Sequence, residues 1–272
     1  MKYLTLNIHS WMEENQLTKF EEIAAFILKE NIDVIALQEV NQSIGADVVN
    51  DPLHFISPKN EEVTIKEDNA GLVLVTLLKD LGCDYYWSWS MCHIGYGKYD
   101  EGICLLSKEK METSSLLISE EFDIVDYRRR KVLLGRQTIA SREYCFVSCH
   151  FSWWQKDNTG FKYEWDNLLK SLPLSEANVV LLGDFNNPAN ISDEGYDLIR
   201  RDFYDTYSLA HQKLGDYTIP PNIDGWKNSQ DNLRVDYIWV NKMVPVASSK
   251  VVFDGVGTPI VSDHFGVLVE VC

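Results

Sequence analysis

The sequence lacks the features that mark membrane-spanning, zinc-dependent and P-loop proteins. It contains no uninterrupted apolar run approaching the ~18 residues that a membrane-spanning helix needs. It also contains no H-E-x-x-H and no G-x-x-x-x-G-K-[ST] pattern, which argues against a zinc protease and a P-loop nucleotidase. None of the 6 cysteines forms a C-x-x-C pair, so free thiols are expected. The amino end reads as a strand rather than a secretory signal, and together these absences predict a cytoplasmic protein with no membrane partner.

Positive charge is scarce. The 25 Lys and Arg residues face 41 Asp and Glu residues, which gives a formal net charge of −16. Such a protein repels polyphosphate backbones unless a local patch or a metal ion reverses the field. Composition therefore makes nucleic acid an unlikely partner and favours a small phosphorylated substrate.

No linker is visible either. No Pro/Gly/Ser-rich segment, repeat or low-complexity tract divides the 272 residues, a length close to the ~250–300 residues at which single cores stop growing. The hydrophobic content of 45% is enough for one large core. We therefore expect a single domain over residues 1–272, of unknown oligomeric state.

Apolar periodicity near the amino end predicts a strand, a helix and a second strand, which is typical of an α/β layer architecture. These elements are strand Tyr3–Ile8, helix Leu17–Glu30 and strand Asp33–Gln38. Leu17 and Leu28 fall on the apolar face of the helix, and Thr18-x-x-Glu21 resembles a capping box at its start.

More strands follow than one sheet needs, so two packed sheets with flanking helices are expected. The further predicted strands are Tyr85–Met91, Gly102–Ser107, Lys131–Ile139, Tyr144–Cys149, Val179–Leu182, Arg234–Val240, Ser249–Asp254 and Phe265–Val271. The further predicted helices are Asn69–Leu81 and Lys162–Leu172, and residues 42–69 read largely as loop.

Polar residues recur at or beside the ends of the predicted strands. They are Asn7, Glu39, Glu101, His150, Asp184, Asn186, Asp236, Asp263 and His264. Each position alone also fits a structural role, as a turn, a cap, a solvated strand end or a core histidine. Active sites of layered α/β proteins are commonly assembled at strand ends, so the recurrence favours a catalytic site.

The residue types point to phosphoester chemistry. Glu39 and Asp263 offer the hard oxygen atoms that suit Mg²⁺, which is usually held by one or two carboxylates with water and phosphate oxygens. His150 and His264 suit acid–base work on water and on a charged phosphoryl group. The chain is thus predicted to be a metal-dependent phosphoesterase.

Short blocks around these residues resemble the signature of the endonuclease/exonuclease/phosphatase superfamily, from near the amino end to near the carboxyl end. The blocks are Thr5–Asn7, Leu37–Glu39, Glu101-Gly102, Cys149-His150, Gly183–Asn186, Arg234–Tyr237 and Ser262–His264. The resemblance implies a four-layer α/β/β/α sandwich with two mixed sheets and a site at one rim.

The resemblance also implies roles for residues that bind the metal and the phosphate. Glu39 would be the principal Mg²⁺ ligand, supported by Asn7, with Asp263 as a further carboxylate on the metal side. Mn²⁺ is a possible substitute for Mg²⁺. Asn186 would donate a hydrogen bond to the phosphate.

The remaining implied roles concern the attacking water and the scissile phosphate. His264 would activate or orient the water and be held by Asp236, while Asp184 would align the water. His150 would contact the phosphate, with Glu101 as its partner. Direct attack by water, without a phospho-enzyme, is the expected reaction.

Aromatic and basic residues near these blocks suggest how a sugar phosphate is held. Trp153, Trp154 and Trp226 offer flat faces for a sugar ring, although ordinary packing explains them equally well. Arg129, in the basic run Arg128–Lys131, is a candidate phosphate contact, and a salt-bridged strand end is the alternative.

Lesser blocks resemble a bacterial branch that includes maltose 6′-phosphate phosphatase. They are His93–Tyr96, Tyr99–Gly102 and Ile223–Trp226. The expected activity is therefore release of phosphate from a small phosphorylated sugar. A nuclease with the same catalytic set, a phosphodiesterase acting on lipid head groups and a non-catalytic binding module remain alternatives.

Overall fold

The computed structural model describes residues 1–223, 225–227 and 229–272. Its elements in chain order are β1 (Lys2–Asn7), α1 (Gln16–Glu30), β2 (Val34–Ser43), α2 (Ala70–Asp80), β3 (Tyr86–Gly95), β4 (Tyr99–Ser107), β5 (Glu112–Leu117), β6 (Lys131–Ile139), β7 (Arg142–His150), α3 (Phe161–Ser171), β8 (Asn178–Asp184), α4 (Gly195–Ile199), β9 (Tyr204–Asp205), α5 (Thr206–Leu209), β10 (Ala210–Leu214), β11 (Asp236–Val240), β12 (Val246–Val252) and β13 (Gly266–Val271). Among the described residues, no helix is long and apolar enough to cross a membrane.

The strands form two mixed sheets. One sheet has 7 strands in the order β10-β12-β13-β1-β2-β4-β3, and the other has 6 in the order β5-β6-β7-β8-β11-β9. In the first, β1 runs parallel to β2 and antiparallel to β13. In the second, β7 runs parallel to β8 and antiparallel to β6. The predicted sandwich of two mixed sheets is confirmed.

Alternation along the strands creates the layers, because successive side chains point to opposite faces of a sheet. Leu4 and Leu6 of β1 are buried in one cluster with the apolar faces of α1 and α2. Tyr3 points the other way, towards the second sheet, and its ring centroid lies 5.6 Å from that of Phe146. Trp165 of α3 belongs to the buried cluster on the outer face of the second sheet. The order is therefore helices, sheet, sheet, helices.

Helix α1 differs from the prediction at its start. It begins at Gln16 after Asn15, and Asn15 makes no side-chain capping bond, so the capping box at Thr18 and Glu21 is wrong. Leu17 and Leu28 were expected on the buried face but are 58% and 41% exposed. The shift in phase places both side chains at the edge of the contact with the sheet.

Several elements were missed or misplaced. Strands β5, β9 and β10 and the short helices α4 and α5 were not predicted, because their segments carry weak alternation or are very short. The strand expected at Ser249–Asp254 spans Val246–Val252 instead, and the one expected from Arg234 begins at Asp236. These errors concern strand limits and sheet edges and leave the central strands unchanged.

Candidate active site

Strand register brings the polar strand ends together. His150 and Asp184 are direct partners at the ends of the parallel strands β7 and β8. Asp184 also pairs with Asp236, the first residue of β11. Asn7 ends β1 in the facing sheet, and its Nδ2 donates across the gap to Asp184 Oδ2 at 3.3 Å. Both sheets therefore contribute side chains to one site.

Glu39 lies inside β2 rather than after it, at an irregularity in the strand. The register with β4 shifts between Leu37 and Val40, and Glu39 has a φ of 52°. The backbone carbonyl of Glu39 accepts hydrogen bonds from Ser10 N at 3.2 Å and Ser10 Oγ at 2.7 Å, which hold the bulge. Bulges next to active sites re-aim a side chain, and here the carboxylate is aimed into the site.

A cavity of about 250 Å³ collects these residues. It is lined by Glu39, Glu101, His150, Asp184, Asn186, Asp263 and His264 from the predicted set, together with His9, His93, Ile94, Gly95, Tyr96, Tyr127, Arg130, Trp153 and Gly225. Side chains from both sheets and from the loops at their ends thus face one enclosed volume.

His264, Asp236 and Asp184 form a buried chain of contacts. His264 Nδ1 lies 3.0 Å from Asp236 Oδ2, and His264 Nε2 lies 3.8 Å from Asp184 Oδ2. Burial alone would lower the pKa of His264, but the two carboxylates raise it well above its usual value. Burial raises the pKa of Asp184 to about 7, although His264 opposes this shift. The chain can hold and exchange a proton near the cavity wall.

One end of the cavity is acidic. Glu39 Oε1 accepts a hydrogen bond from Asn7 Nδ2 at 2.8 Å, and the Asn7 Oδ1 atom accepts the His9 backbone N–H at 3.2 Å. His9 Nδ1 lies 2.7 Å from Glu13 Oε1 and 3.6 Å from Asp263 Oδ1. Burial opposes protonation of His9, but Glu13 and Asp263 raise its pKa to about 9. His9 is therefore a cation placed among carboxylates.

The acidic end fits a divalent cation. Burial, and then repulsion from Asp263, raise the pKa of Glu39, and a cation between the two carboxylates would remove that repulsion. Ligand atoms of His9, Glu13 and Asp263 lie within 4.8 Å of one another. Carboxylate oxygens are the donors that Mg²⁺ prefers. Asn7 presents its amide nitrogen to Glu39, so in this arrangement it orients the carboxylate.

The opposite end of the cavity is built around Arg130, which is 4% exposed. Burial lowers the pKa of His150 well below its usual value, and the Arg130 guanidinium and His93 lower it further. Burial and Arg130 likewise lower the pKa of His93 to about 3. Both imidazoles are neutral at neutral pH, and Arg130 carries the positive charge at this end.

The partner expected for His150 is wrong. Glu101 Oε1 lies 3.3 Å from His93 Nε2, whereas the carboxylate nearest to His150 Nε2 is Asp184, at 3.7 Å. Glu101 faces the next strand, because β4 pairs Glu101 with His93 of β3. Burial and the charge of Glu39 raise the pKa of Glu101 to about 8.

Asn186 is fixed on all sides. Its backbone N–H donates to Asp184 Oδ1 at 2.9 Å, and its Nδ2 donates to the Phe151 carbonyl at 2.9 Å. Trp226 Nε1 donates to Asn186 Oδ1 at 3.2 Å. Trp226, expected as a sugar platform, is thus a support for Asn186 and does not line the cavity. Asp224, in the same predicted block, lies outside the described residues.

The other expected substrate contacts divide in two. Trp153 lines the cavity, but Trp154 packs in the core beside Phe161, with ring centroids 6.4 Å apart. Arg129 does not line the cavity, because its guanidinium donates to the Cys92 carbonyl. The adjacent Arg130 faces the cavity instead. The basic run was informative, but the strand geometry selects its third member.

Five cavity residues were absent from the expected set of site residues. They are His9, His93, Tyr96, Tyr127 and Arg130. His9 follows Asn7 by two positions, and His93 and Tyr96 belong to a block already noted for its resemblance, so sequence spacing pointed to three of them. Nothing local distinguished Tyr127 or Arg130 from their neighbours.

The model of the Endonuclease/Exonuclease/phosphatase family matches residues 9–264. The chain belongs to this family. The predicted resemblance is therefore confirmed, and members of the family are metal-dependent hydrolases that act on phosphoric esters. A comparison with curated protein sequences finds no significant match.

Several solved structures of the endonuclease/exonuclease/phosphatase family are similar. A family protein from Leptotrichia buccalis is 32% identical, with a TM-score of 0.88 over 100% of this chain and 99% of that one. A mannosyl-6-phosphatase from Bacteroides thetaiotaomicron is 17% identical, with a TM-score of 0.68 over 100% and 99%. Truncated Caenorhabditis elegans TDP2 is 13% identical, with a TM-score of 0.61 over 99% and 96%. The last two likenesses concern the fold alone.

Proposed function

We propose that this protein is a Mg²⁺-dependent phosphomonoesterase that releases phosphate from a small phosphorylated sugar such as maltose 6′-phosphate. The observation that carries the proposal is the polarity of the cavity. Glu39 and Asp263 occupy one end, and the buried Arg130 occupies the other. A terminal phosphate placed between them meets a metal on one side and a guanidinium on the other.

Glu39 and Asp263 hold the metal ion in this proposal, with Asn7 orienting Glu39. When bound, the ion supplies positive charge against the phosphoryl oxygens. The protonated His9 beside Asp263 limits the negative charge at this end while the metal is absent.

Asp184 and His264 place the attacking water. Asp236 holds His264 Nδ1, so that His264 Nε2, 3.8 Å from Asp184, faces the water. Water attacks phosphorus in line with the departing sugar oxygen, and its proton passes to this pair. No residue has to form a phospho-enzyme.

Arg130, His150 and Asn186 stabilise the negative charge that develops on the phosphoryl oxygens. Arg130 Nε has no hydrogen-bond partner in the part of the chain that the structure describes, although the side chain is 4% exposed. A buried guanidinium without a partner is costly, so it fits a site that is completed by an anion. Preorganised donors of this kind each contribute ~10²–10³ in rate.

The proposal favours a sugar over nucleic acid on grounds of charge. The solved mannosyl-6-phosphatase makes a sugar phosphate a reasonable substrate for this fold, and the TDP2 structures make a second class of substrate reasonable as well. The net charge of −16 opposes a polyanionic strand, whereas a monophosphate on a neutral sugar carries little charge.

The test is a substrate panel. Mg²⁺-loaded protein is offered maltose 6′-phosphate, mannose 6-phosphate and supercoiled plasmid, with and without a chelator, and with Mn²⁺ in place of Mg²⁺. We expect metal-dependent release of inorganic phosphate from the sugars. Plasmid nicking without phosphate release from any sugar would contradict the proposal and favour a nuclease.

A further inference from the structure

A second concave surface adjoins the active-site cavity. This outer groove has a volume of about 560 Å³, and Tyr127 and Trp153 line both the groove and the cavity. Its other walls include Glu120, Glu121, Gln155 and Asp157. A ligand whose phosphate occupies the cavity therefore has a direct continuation past these two aromatic rings.

The groove is rich in hydrogen-bond acceptors. Glu120 and Gln155 are exposed, and within the described ranges neither side chain engages another residue. Asp157 accepts hydrogen bonds from Thr159 through one oxygen, at 2.7 Å and 3.1 Å. Carboxylates accept hydrogen bonds and cannot donate them, so they match a ligand that is rich in hydroxyl groups.

The charge of the groove is negative. Arg128 is the cation that lines it among the described residues, and its Nη2 lies 2.5 Å from Asp126 and 3.7 Å from Glu121. Its charge is thus already balanced by its own neighbours. The remaining carboxylates would repel a phosphodiester backbone and leave an uncharged ligand unaffected.

Trp153 is held in place between the groove and the cavity. A Cβ added at Gly225 would lie 2.9 Å from Trp153 Cζ2, so the glycine backbone presses against the indole. Gly225 has a φ of 74°, which a glycine adopts without strain. A fixed indole beside acceptor groups is suited to the apolar face of a sugar ring.

We propose that the outer groove binds the uncharged, polyhydroxylated leaving group of the substrate while the phosphate occupies the cavity. This inference rests on the proposed phosphomonoesterase function. It adds that substrates whose leaving group fills the groove are preferred over phosphates of short alcohols. It also gives a structural reason for excluding nucleic acid that is independent of net charge.

The experiment combines binding and turnover. Gln155→Trp fills the groove from an exposed position, and Glu120→Trp fills it from another wall. Gln212→Trp makes the matched change at an exposed position on β10, outside both the groove and the cavity. Binding of maltose, a neutral probe, is measured by saturation-transfer NMR. Turnover is measured as kcat/KM for maltose 6′-phosphate and for glycerol phosphate, and circular dichroism verifies folding.

We expect wild type and Gln212→Trp to bind maltose, and both groove variants to lose binding. The ratio of kcat/KM for maltose 6′-phosphate to that for glycerol phosphate should fall about tenfold in the groove variants. Absence of maltose binding to wild type, or equal binding in folded Gln155→Trp and Gln212→Trp, would overturn the groove assignment. Absence of phosphate release from both esters would instead contradict the phosphomonoesterase function, while the binding result still decides the groove.

Discussion

His264 Nδ1 lies 3.0 Å from Asp236 Oδ2, and this contact fixes which imidazole nitrogen faces the cavity. Asp236 is fully buried at the start of β11, and its backbone N–H donates to Thr218 Oγ1 at 3.2 Å. The strand therefore sets the position of the carboxylate, and the carboxylate sets the orientation of the ring. A partner of this kind is required wherever a histidine must present a defined nitrogen to water.

Asp236→Asn should lower kcat by about 10²–10⁴-fold, because the amide no longer stabilises the protonated ring or fixes its orientation. KM should change little, since Asp236 does not line the cavity. Steady-state kinetics with a sugar phosphate provide the measurement. Asp216→Asn, an exposed position, is the control. An unchanged kcat in Asp236→Asn would remove His264 from the proposed mechanism.

Arg130→Gln should raise KM for a phosphate monoester more than it lowers kcat. A hydrogen bond to a charged group contributes about 1.5–3 kcal/mol, which corresponds to about 10–150-fold in KM. Arg129→Gln is a matched control, because Arg129 faces the Cys92 carbonyl instead of the cavity.

The same pair of variants has a spectroscopic readout. The Arg130 guanidinium is one of the causes that lower the pKa of His150, after burial. Titration of the His150 ring by NMR should show a higher pKa in Arg130→Gln than in Arg129→Gln. Identical KM values and identical titrations in the two variants would place Arg130 outside the phosphate site.

The sequence contained most of the site because its residues stand at strand ends, where alternation stops and polar residues appear. His150, Asp184 and His264 were found this way, since each borders a clear apolar strand. Position along the chain could not give the partner of Glu101, because that depends on how β4 pairs with β3. The choice between Arg129 and Arg130 failed for a similar reason, since one step along an extended chain reverses the side-chain direction.

The fold was predictable where apolar periodicity was strong. β1, α1 and β2 were located closely, and the two-sheet sandwich followed from the number of strands. The bulge at Glu39 was hidden, because the sequence placed this residue just after a strand that continues to Ser43. The shift in the phase of α1 was also hidden, since Thr18 and Glu21 satisfy a capping pattern that the helix does not use.

Glu61 ties the start of β6, next to Arg130, to the neighbouring strands. Lys131 Nζ donates to Glu61 Oε1 at 2.6 Å, and Ser90 and Ser115 donate to Oε2 at 2.6 Å each. Burial would raise the pKa of Glu61, but these bonds together lower it. A carboxyl with a lowered pKa stabilises the fold above its unfolded value, near 4.5, and this contribution is lost as pH falls further.

Glu61→Gln should therefore reduce the free energy of unfolding by about 1–3 kcal/mol at neutral pH, with a smaller difference below pH 4.5. Urea unfolding across pH measures the change. Glu112→Gln is the control, because the Lys59–Glu112 pair is exposed and should have no measurable effect. Equal effects of the two substitutions would show that the Glu61 network is not stabilising.

Glu101 should make the metal-free protein less stable as pH rises. Burial and then Glu39 raise its pKa to about 8, so its favourable contribution is complete below the unfolded value of 4.5 and is lost as pH rises through about 8. The loss is on the order of 2–4 kcal/mol for a fully buried carboxyl. Glu101→Gln should flatten the curve of unfolding free energy against pH, whereas Glu109→Gln, at an exposed position, should not. Parallel curves for wild type and Glu101→Gln would contradict the prediction.

The most direct test is the release of inorganic phosphate from maltose 6′-phosphate by wild type and Glu39→Gln at matched Mg²⁺ concentrations. Wild type should release phosphate, stop when a chelator is added and recover with excess Mg²⁺. Glu39→Gln should be slower by at least about 10²-fold, because the cation loses its principal carboxylate. Release by Glu39→Gln at the wild-type rate, or by wild type without any divalent cation, would contradict a metal-dependent phosphatase site in this cavity.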